Sequence, residues 1–206
     1  AVVLPEEERA LRILAVLVPL AYLLGTFPSA VMVARANGID ITAVGSGNPG
    51  ASNVTRVLGR WWGVLVFVLD GLKGAIPAVI GVLADHRAGS YWLLGAAILG
   101  HMFPITRRFR GGKGVATLSG GMMVLQPLPS LILLVVWLLA RRLTGTASAA
   151  SLLIIAGVPM LAAAFGAAAW ETVTIAGMCV VLLVRHVDNI KRLLGRRELS
   201  ADRTGG

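Results

Sequence analysis

Charge is scarce in this chain, and acidic charge scarcest. Of 206 residues 14% are charged, with 10 Asp and Glu against 19 Lys and Arg. Soluble domains carry about 25% charged residues, so water is not the solvent for most of this sequence. Cysteine occurs once, at Cys179 inside an apolar run. That excludes an internal disulfide and leaves a small packing residue as its role. No metal-ligand cluster is present, nor a Gly-x-Ser-x-Gly nucleophile elbow. No groove-reading motif or basic stripe interleaved with aromatics occurs, so the net charge of +9 does not mark a nucleic-acid surface. A basic leader is also missing. Glu6, Glu7 and Glu8 precede a long first apolar run, and a cleavable signal is not expected.

Hydrophobicity is what abounds: 56% of residues, with mean hydropathy +0.80. A bilayer core about 30 Å thick needs about 20 apolar residues per spanning helix. Seven apolar segments run roughly over 10–34, 61–84, 89–105, 113–125, 128–140, 147–165 and 168–185. They predict an all-α, polytopic membrane bundle of seven transmembrane helices, forming a single domain over 1–206. The fourth segment is short, and Gln126-Pro127-Leu128-Pro129 divides it from the fifth. Five spans with two re-entrant segments is the alternative, with the same sidedness. With the N-terminus outside, the outer side holds Arg9, Arg12 and Arg87. The inner side holds fifteen of the 19 Lys and Arg, and Lys73 lies within a helix. The positive-inside rule therefore places the C-terminus in the cytoplasm. The basic clusters suit lipid headgroups as well as topology.

Three polar segments fall on the inner side. The first is Gly45-Ser46-Gly47-Asn48-Pro49-Gly50-Ala51-Ser52-Asn53-Val54-Thr55-Arg56. Gly45, Gly47 and Gly50 match a dinucleotide fingerprint, but that motif requires a βαβ unit and the flanks here are membrane helices. The physics transfers: glycines let backbone N–H groups approach a phosphate, and a following helix N-terminus favours an anion. An ordinary inter-helix loop is the plain alternative, against which stand Arg56 and the hydroxyls of Ser46 and Ser52. The second segment is Arg107-Arg108-Phe109-Arg110-Gly111-Gly112-Lys113-Gly114-Val115-Ala116-Thr117. It fails the P-loop pattern, because Gly114 stands where Ser or Thr is needed. A lysine among glycines at a helix start still suits a phosphate dianion. Arg107 and Arg108 fit simple anchoring, which does not explain Gly111, Gly112 and Gly114. The third segment is Arg185-His186-Val187-Asp188-Asn189-Ile190-Lys191-Arg192. On a helix His186 and Asn189 share a face, with Arg185 and Arg192 as candidate flanks.

Charges within spans are costly and usually paired or functional. Asp70 and Lys73, at i and i+3, predict mutual pairing in the bundle interior. His101, near the inner end of the third segment, is a candidate to orient the glycine-lysine loop and receives no catalytic role. Ser148 and Ser151, at the inner end of the sixth segment, either bond their own helix backbone or face the site.

Together the three segments resemble the bacterial membrane glycerol-3-phosphate acyltransferases that use acyl phosphate. The matching stretches are GSGNPGASN with Arg56, GGKGVAT, and His186 with Asn189 ahead of IKRLL. Asp70-Gly71-Leu72-Lys73-Gly74 and Gly100-His101-Met102-Phe103-Pro104 extend the likeness over nearly the whole chain. The resemblance implies a seven-helix bundle open to the cytoplasm. It implies transfer of a fatty acyl group from acyl phosphate to the sn-1 hydroxyl of glycerol 3-phosphate, giving lysophosphatidic acid and inorganic phosphate, without cofactor or metal. Ser46, Arg56, Lys113, His186 and Asn189 would grip glycerol 3-phosphate. The loops of Gly47, Asn48, Gly50, Gly111, Gly112 and Gly114, with Ser52, Asn53 and Ser151, would hold the acyl phosphate. Three departures stand out. Ser52 replaces the usual Thr and keeps a hydroxyl. Val187 stands where Arg is common. In Gly195-Arg196-Arg197-Glu198 the usual Gly-x-Glu spacing is stretched by one residue, so Glu198 receives no role.

No histidine is followed five positions later by Asp; Thr106, Tyr91 and Lys191 stand there instead. A protein general base is therefore not evident unless His186 serves. Acyl phosphate is already an activated mixed anhydride, so positioning, worth about 7–11 kcal/mol at best, and charge stabilisation can suffice. The expected partners are glycerol 3-phosphate, acyl phosphate and membrane lipids. Two other classes compete. A transporter of a phosphorylated solute would place its anion site near the bilayer midplane. A scaffold would tolerate loss of Lys113. Oligomeric state is not set by the sequence.

Overall fold

The computed structural model describes residues 6–195 and 199–200, with side chains from Arg12 onward. The side chains of Glu6, Glu7, Glu8 and Arg9, and residues Arg196, Arg197, Glu198 and Arg203, lie outside those described. Helices follow one another without a strand among the described residues: α1 (Glu6–Gly25), α2 (Ser29–Ala36), α3 (Ala51–Leu58), α4 (Arg60–Leu83), α5 (Arg87–Met102), a 3-10 turn (Ile105–Arg107), α6 (Val115–Leu125), α7 (Pro127–Thr144), α8 (Ala147–Ala164), α9 (Ala169–Val184) and α10 (Val187–Leu194). The all-helical expectation holds, and every apolar segment becomes helix.

The bounds differ where local chemistry intervenes. The 10–34 run is interrupted at Thr26-Phe27-Pro28, because proline restricts the residue before it and lacks an N–H. The fifth segment continues past residue 140 to Thr144. Arg141 and Arg142 fill its last turn, where cations meet the helix dipole, and left-handed Gly145 (φ 66°) stops it. Pro127 and Pro129 start α7, as suits proline's fixed φ and absent donor. Among the described residues, the stretches 12–36, 60–83, 127–144 and 147–164 are long and apolar enough to cross a bilayer. α9 and α10, bent by 62°, make a fifth if taken together. α5 has 16 residues and α6 has 11.

α1 and α4 to α9 run alternately between two ends of the bundle. At one end Arg87, opening α5, donates to Glu171 Oε1 near the start of α9 (2.6 Å) and to the Leu125 carbonyl closing α6 (3.2 Å). At the other, Tyr22 Oη on α1 donates to the Phe103 carbonyl just past α5 (2.7 Å). The main core packs Tyr91, Leu94, Ile98 and Met102 of α5 against Leu118, Met122, Ile155, Ile175 and Leu182. A second cluster joins Ala30, Val31 and Ala34 of α2 to Ile41, Val54 and Val66, seating α3 and the 37–50 loop on α4. Large apolar side chains such as Val16, Leu20, Leu65, Leu72 and Val135 remain exposed. That is the expected outer belt of a bundle whose solvent is lipid.

α4 and α6 approach backbone to backbone. A side chain at Gly74 would strike the Thr117 carbonyl, and one at Gly120 the Gly71 backbone. In lipid, where tails offer helices no hydrophobic gain on association, such small-residue contacts supply the packing. Gly120→Leu is expected to push the two helices apart and destabilise the bundle by about 1–3 kcal/mol or more. A thermal melt of the purified variant in detergent checks this.

Candidate active site

The first polar segment is built around one buried amide. Asn53, in the first turn of α3, is 2% exposed. Its Nδ2 donates to the carbonyls of Ile41 (3.1 Å) and Val44 (3.0 Å), and its Oδ1 accepts from Ser46 N–H (2.8 Å) and Arg56 Nη1 (3.1 Å). Gly45 (φ 60°) makes the close approach possible, since a Cβ there would collide with the Asn53 side chain. Upstream, Thr42 donates its hydroxyl (2.7 Å) and amide (3.0 Å) to Asp40 Oδ1, and these bonds hold that carboxyl below its ordinary pKa. Asn53, expected to touch substrate, thus spends its polar atoms on the loop. Arg56 also donates through Nε to the Ser200 carbonyl (2.8 Å), drawing the C-terminal segment against α3.

The second segment is braced from two sides. Gly111 N–H donates to the Met102 carbonyl and Gly112 N–H to the His101 carbonyl, each at 3.1 Å. From the end of α9, Arg185 donates to the Gly111 carbonyl (2.8 Å) and the Gly112 carbonyl (3.3 Å). The N–H groups of Gly111 and Gly112, expected to approach a phosphate, are committed to protein carbonyls. These glycines place the two residues after them: Lys113, and Gly114, whose left-handed conformation (φ 83°) turns the chain into α6. Arg185, by sequence a candidate anion flank, braces both glycines through their carbonyls.

The third segment forms the bend between α9 and α10. His186 caps α10, is 2% exposed, and its Nδ1 lies 2.8 Å from the Leu182 carbonyl. A carbonyl only accepts, so Nδ1 carries a proton and donates to it. Asn189 Oδ1 accepts from Lys113 Nζ, tying the second segment to the third.

These segments meet around one cavity of about 510 Å³. Ser46, Asn48, Gly50, Ser52, Asn53, Arg56, Lys113, Gly114, Ser151, His186 and Asn189 line it. Gly111 and Gly112 instead line an adjacent cavity of about 20 Å³. Gly47 (φ 68°) lines neither; it shapes the loop. Arg60 and Arg141 add cationic lining that sequence reasoning left to topology, the latter stacked over Trp137 at 5.7 Å. Ser151 Oγ accepts from Trp137 Nε1 (3.3 Å), so it bonds across helices. The first turns of α3, α6 and α8 open on the cavity through Ala51, Val115 and Ala147, adding the positive ends of three helix dipoles. Away from this polar mouth the lining becomes apolar: Phe67 and Val68 on α4, Met122 and Met123 on α6, Leu133, Leu134 and Leu138 on α7, Ile154 and Val158 on α8. A polyanion at the mouth attached to a hydrocarbon chain fits such a cavity.

The profile of the glycerol-3-phosphate acyltransferase family matches residues 15–196. The chain belongs to that family. A glycerol-3-phosphate acyltransferase of Aquifex aeolicus is 41% identical over 199 residues, covering 88% of this chain and 96% of the relative. One from Thermus thermophilus is 41% identical over 178 residues, covering 84% and 88%. The crystal structure of PlsY (YgiH), an integral membrane glycerol 3-phosphate acyltransferase, in its glycerol 3-phosphate form gives a TM-score of 0.85 at 38% identity, covering 91% of this chain and 94% of that one. Its lysophosphatidic acid form gives 0.83. The protein is thus an acyltransferase and a multi-pass membrane protein.

In this acyltransferase the first loop depends on Asn53. Asn53→Ala leaves buried loop groups unsatisfied at about 1–3 kcal/mol each. Faster amide exchange over residues 41–50, with the helices of the bundle unchanged, is the expected result by hydrogen-exchange mass spectrometry.

Proposed function

We propose that the protein transfers a fatty acyl group from acyl phosphate to the sn-1 hydroxyl of glycerol 3-phosphate, releasing lysophosphatidic acid and inorganic phosphate. This would be the first acylation of bacterial phospholipid synthesis. The observation that carries the reading is the meeting of Arg56, Lys113, His186 and Asn189, from three separated segments, on one cavity that is cationic at its mouth and apolar within.

Ser46, Arg56, Lys113, His186 and Asn189 hold the phosphate and hydroxyls of glycerol 3-phosphate. The first turns of α3 and α6, with Ser52 and Ser151, hold the donor phosphate, and the donor's hydrocarbon tail lies among α4, α6, α7 and α8. Asn53, Gly111 and Gly112 act by shaping the two loops. The sn-1 oxygen attacks the acyl carbonyl carbon, and the bond from that carbon to the phosphate oxygen breaks. The departing phosphate takes the hydroxyl proton, while Lys113 and Arg56 neutralise its charge. No metal or nucleotide takes part in this scheme.

The alternation of α1 and α4 to α9 between two ends supports seven crossings, and the excess of Lys and Arg on the cavity side supports an outer N-terminus and a cavity that faces the cytoplasm. A transporter would set its anion site near the midplane, whereas these cations gather at helix ends.

Purified protein given palmitoyl phosphate and radiolabelled glycerol 3-phosphate is expected to form lysophosphatidic acid. Acyl-CoA and acyl carrier protein as rival donors should give none, and chelator should leave the rate unchanged. Lys113→Ala and His186→Ala should abolish turnover in protein that still melts cooperatively. Normal turnover in either removes that residue from the site. For sidedness, cysteines introduced at Asp85 and Arg142 in a Cys179→Ala background should react with an impermeant maleimide from outside and inside respectively. The reverse pattern overturns the orientation.

A further inference from the structure

The buried Asp70–Lys73 pair has no part in the chemistry above, yet it lies directly beneath the lysine loop. Lys73 Nζ donates to Asp70 Oδ1 at 2.6 Å, and both residues are at most 4% exposed. Asp70 Oδ1 also lies 3.7 Å from His101 Nδ1. That is beyond hydrogen-bond reach, but in a buried, poorly screened setting it still orients the ring. Asp70 and His101 line both cavities, so they stand in the wall between them. His101 meets the loop twice. Its carbonyl accepts from Gly112 N–H, and its ring lies so close to Gly112 that a methyl group there would strike it. Lys113 is the next residue.

We propose that His101, held by the Asp70–Lys73 pair, is a positioning residue for acyl transfer: it sets the level of the Gly111–Gly112 segment and thereby the reach of Lys113 toward Asn189 and the cavity. The geometry explains why charged residues are kept inside a lipid-embedded bundle, where an isolated strut has a cheaper apolar substitute. It also gives Gly112 its reason. Only a residue without Cβ lets the loop rest on the imidazole. Arg185 presses on the same two glycines from the opposite side through their carbonyls. The segment is therefore clamped between α5 and α9, and its level is decided by the thickness of the ring below it.

This inference rests on the glycerol 3-phosphate reading of the cavity, and the test keeps the two apart. The full chain is purified and assayed with palmitoyl phosphate and radiolabelled glycerol 3-phosphate. A displaced reacting group costs about 100-fold, so His101→Ala is expected to lower kcat/KM for glycerol 3-phosphate by about that factor, most of it in KM. KM for palmitoyl phosphate should move less. His101→Asn, which keeps a polar group facing Asp70, should recover part of the loss. Asp70→Asn combined with Lys73→Met, a charge-free pair of similar volume, should shift KM in the same direction. A folded His101→Ala protein with wild-type KM overturns the proposal. So does a fall confined to kcat, the pattern of fewer folded molecules. If His101→Ala does not fold, the double variant decides, and an unchanged KM there overturns the proposal equally. Failure of the wild-type protein to use either substrate would count against the functional reading, not against this positioning role alone.

Discussion

The contact between Lys113 and Asn189 is the one on which the site depends. It joins residues 76 positions apart, from the start of α6 and the first turn of α10. The two helices have little reason to meet otherwise, since α10 is only eight residues long and bends away from α9. Bonded to each other, a lysine and an asparagine can leave water at less cost than either could alone, and Asn189 is 4% exposed. In the proposed reaction the same pair exchanges that bond for a phosphate oxygen, because ammonium and amide both bond well to an anion. Around this contact the other groups fall into two kinds: those that face the cavity and those that hold the facing groups still.

The holding groups explain how so cationic a cavity is stable. Arg56, Arg60, Lys113 and Arg141 share its lining, and their mutual repulsion favours spreading. Asn53 closes the first loop by bonding on both sides of its amide, and Arg185 closes the second by gripping two glycine carbonyls. Neither device spends a carboxylate, so the polar end of the cavity stays rich in cations. Three helix N-termini add to that field without adding desolvated charge. The acidic residues buried in the bundle, Asp70 and Glu171, are each bonded to a cation away from the mouth.

Much of the fold was legible in the sequence because lipid imposes a strong rule: backbone groups must be satisfied within each span, so every long apolar run becomes helix. The errors sit where that rule weakens. Pro28 broke a run that hydropathy treated as continuous, and the arginines after Ala140 prolonged a helix that composition alone would end. Arg56, Lys113 and His186, singled out in the sequence, all line the cavity, because charge and glycine at the ends of membrane helices have few other uses. The site was less legible in Asn53, Gly111, Gly112 and Arg185. Their residue types suit ligand binding and loop bracing equally, and only the identity of the atoms opposite them separates the two. Arg60 and Arg141 were hidden among topology-setting arginines for the same reason.

The sequence by itself determined the membrane helices, the side on which positive charge gathers, and the family to which the chain belongs. These follow from composition and local pattern, which act over one helix or one loop. Tertiary structure alone decided which polar groups face the cavity and which are consumed in building it. That outcome depends on contacts between segments far apart in sequence, such as Arg185 on Gly111 and His101 under Gly112, and no local propensity encodes such a contact.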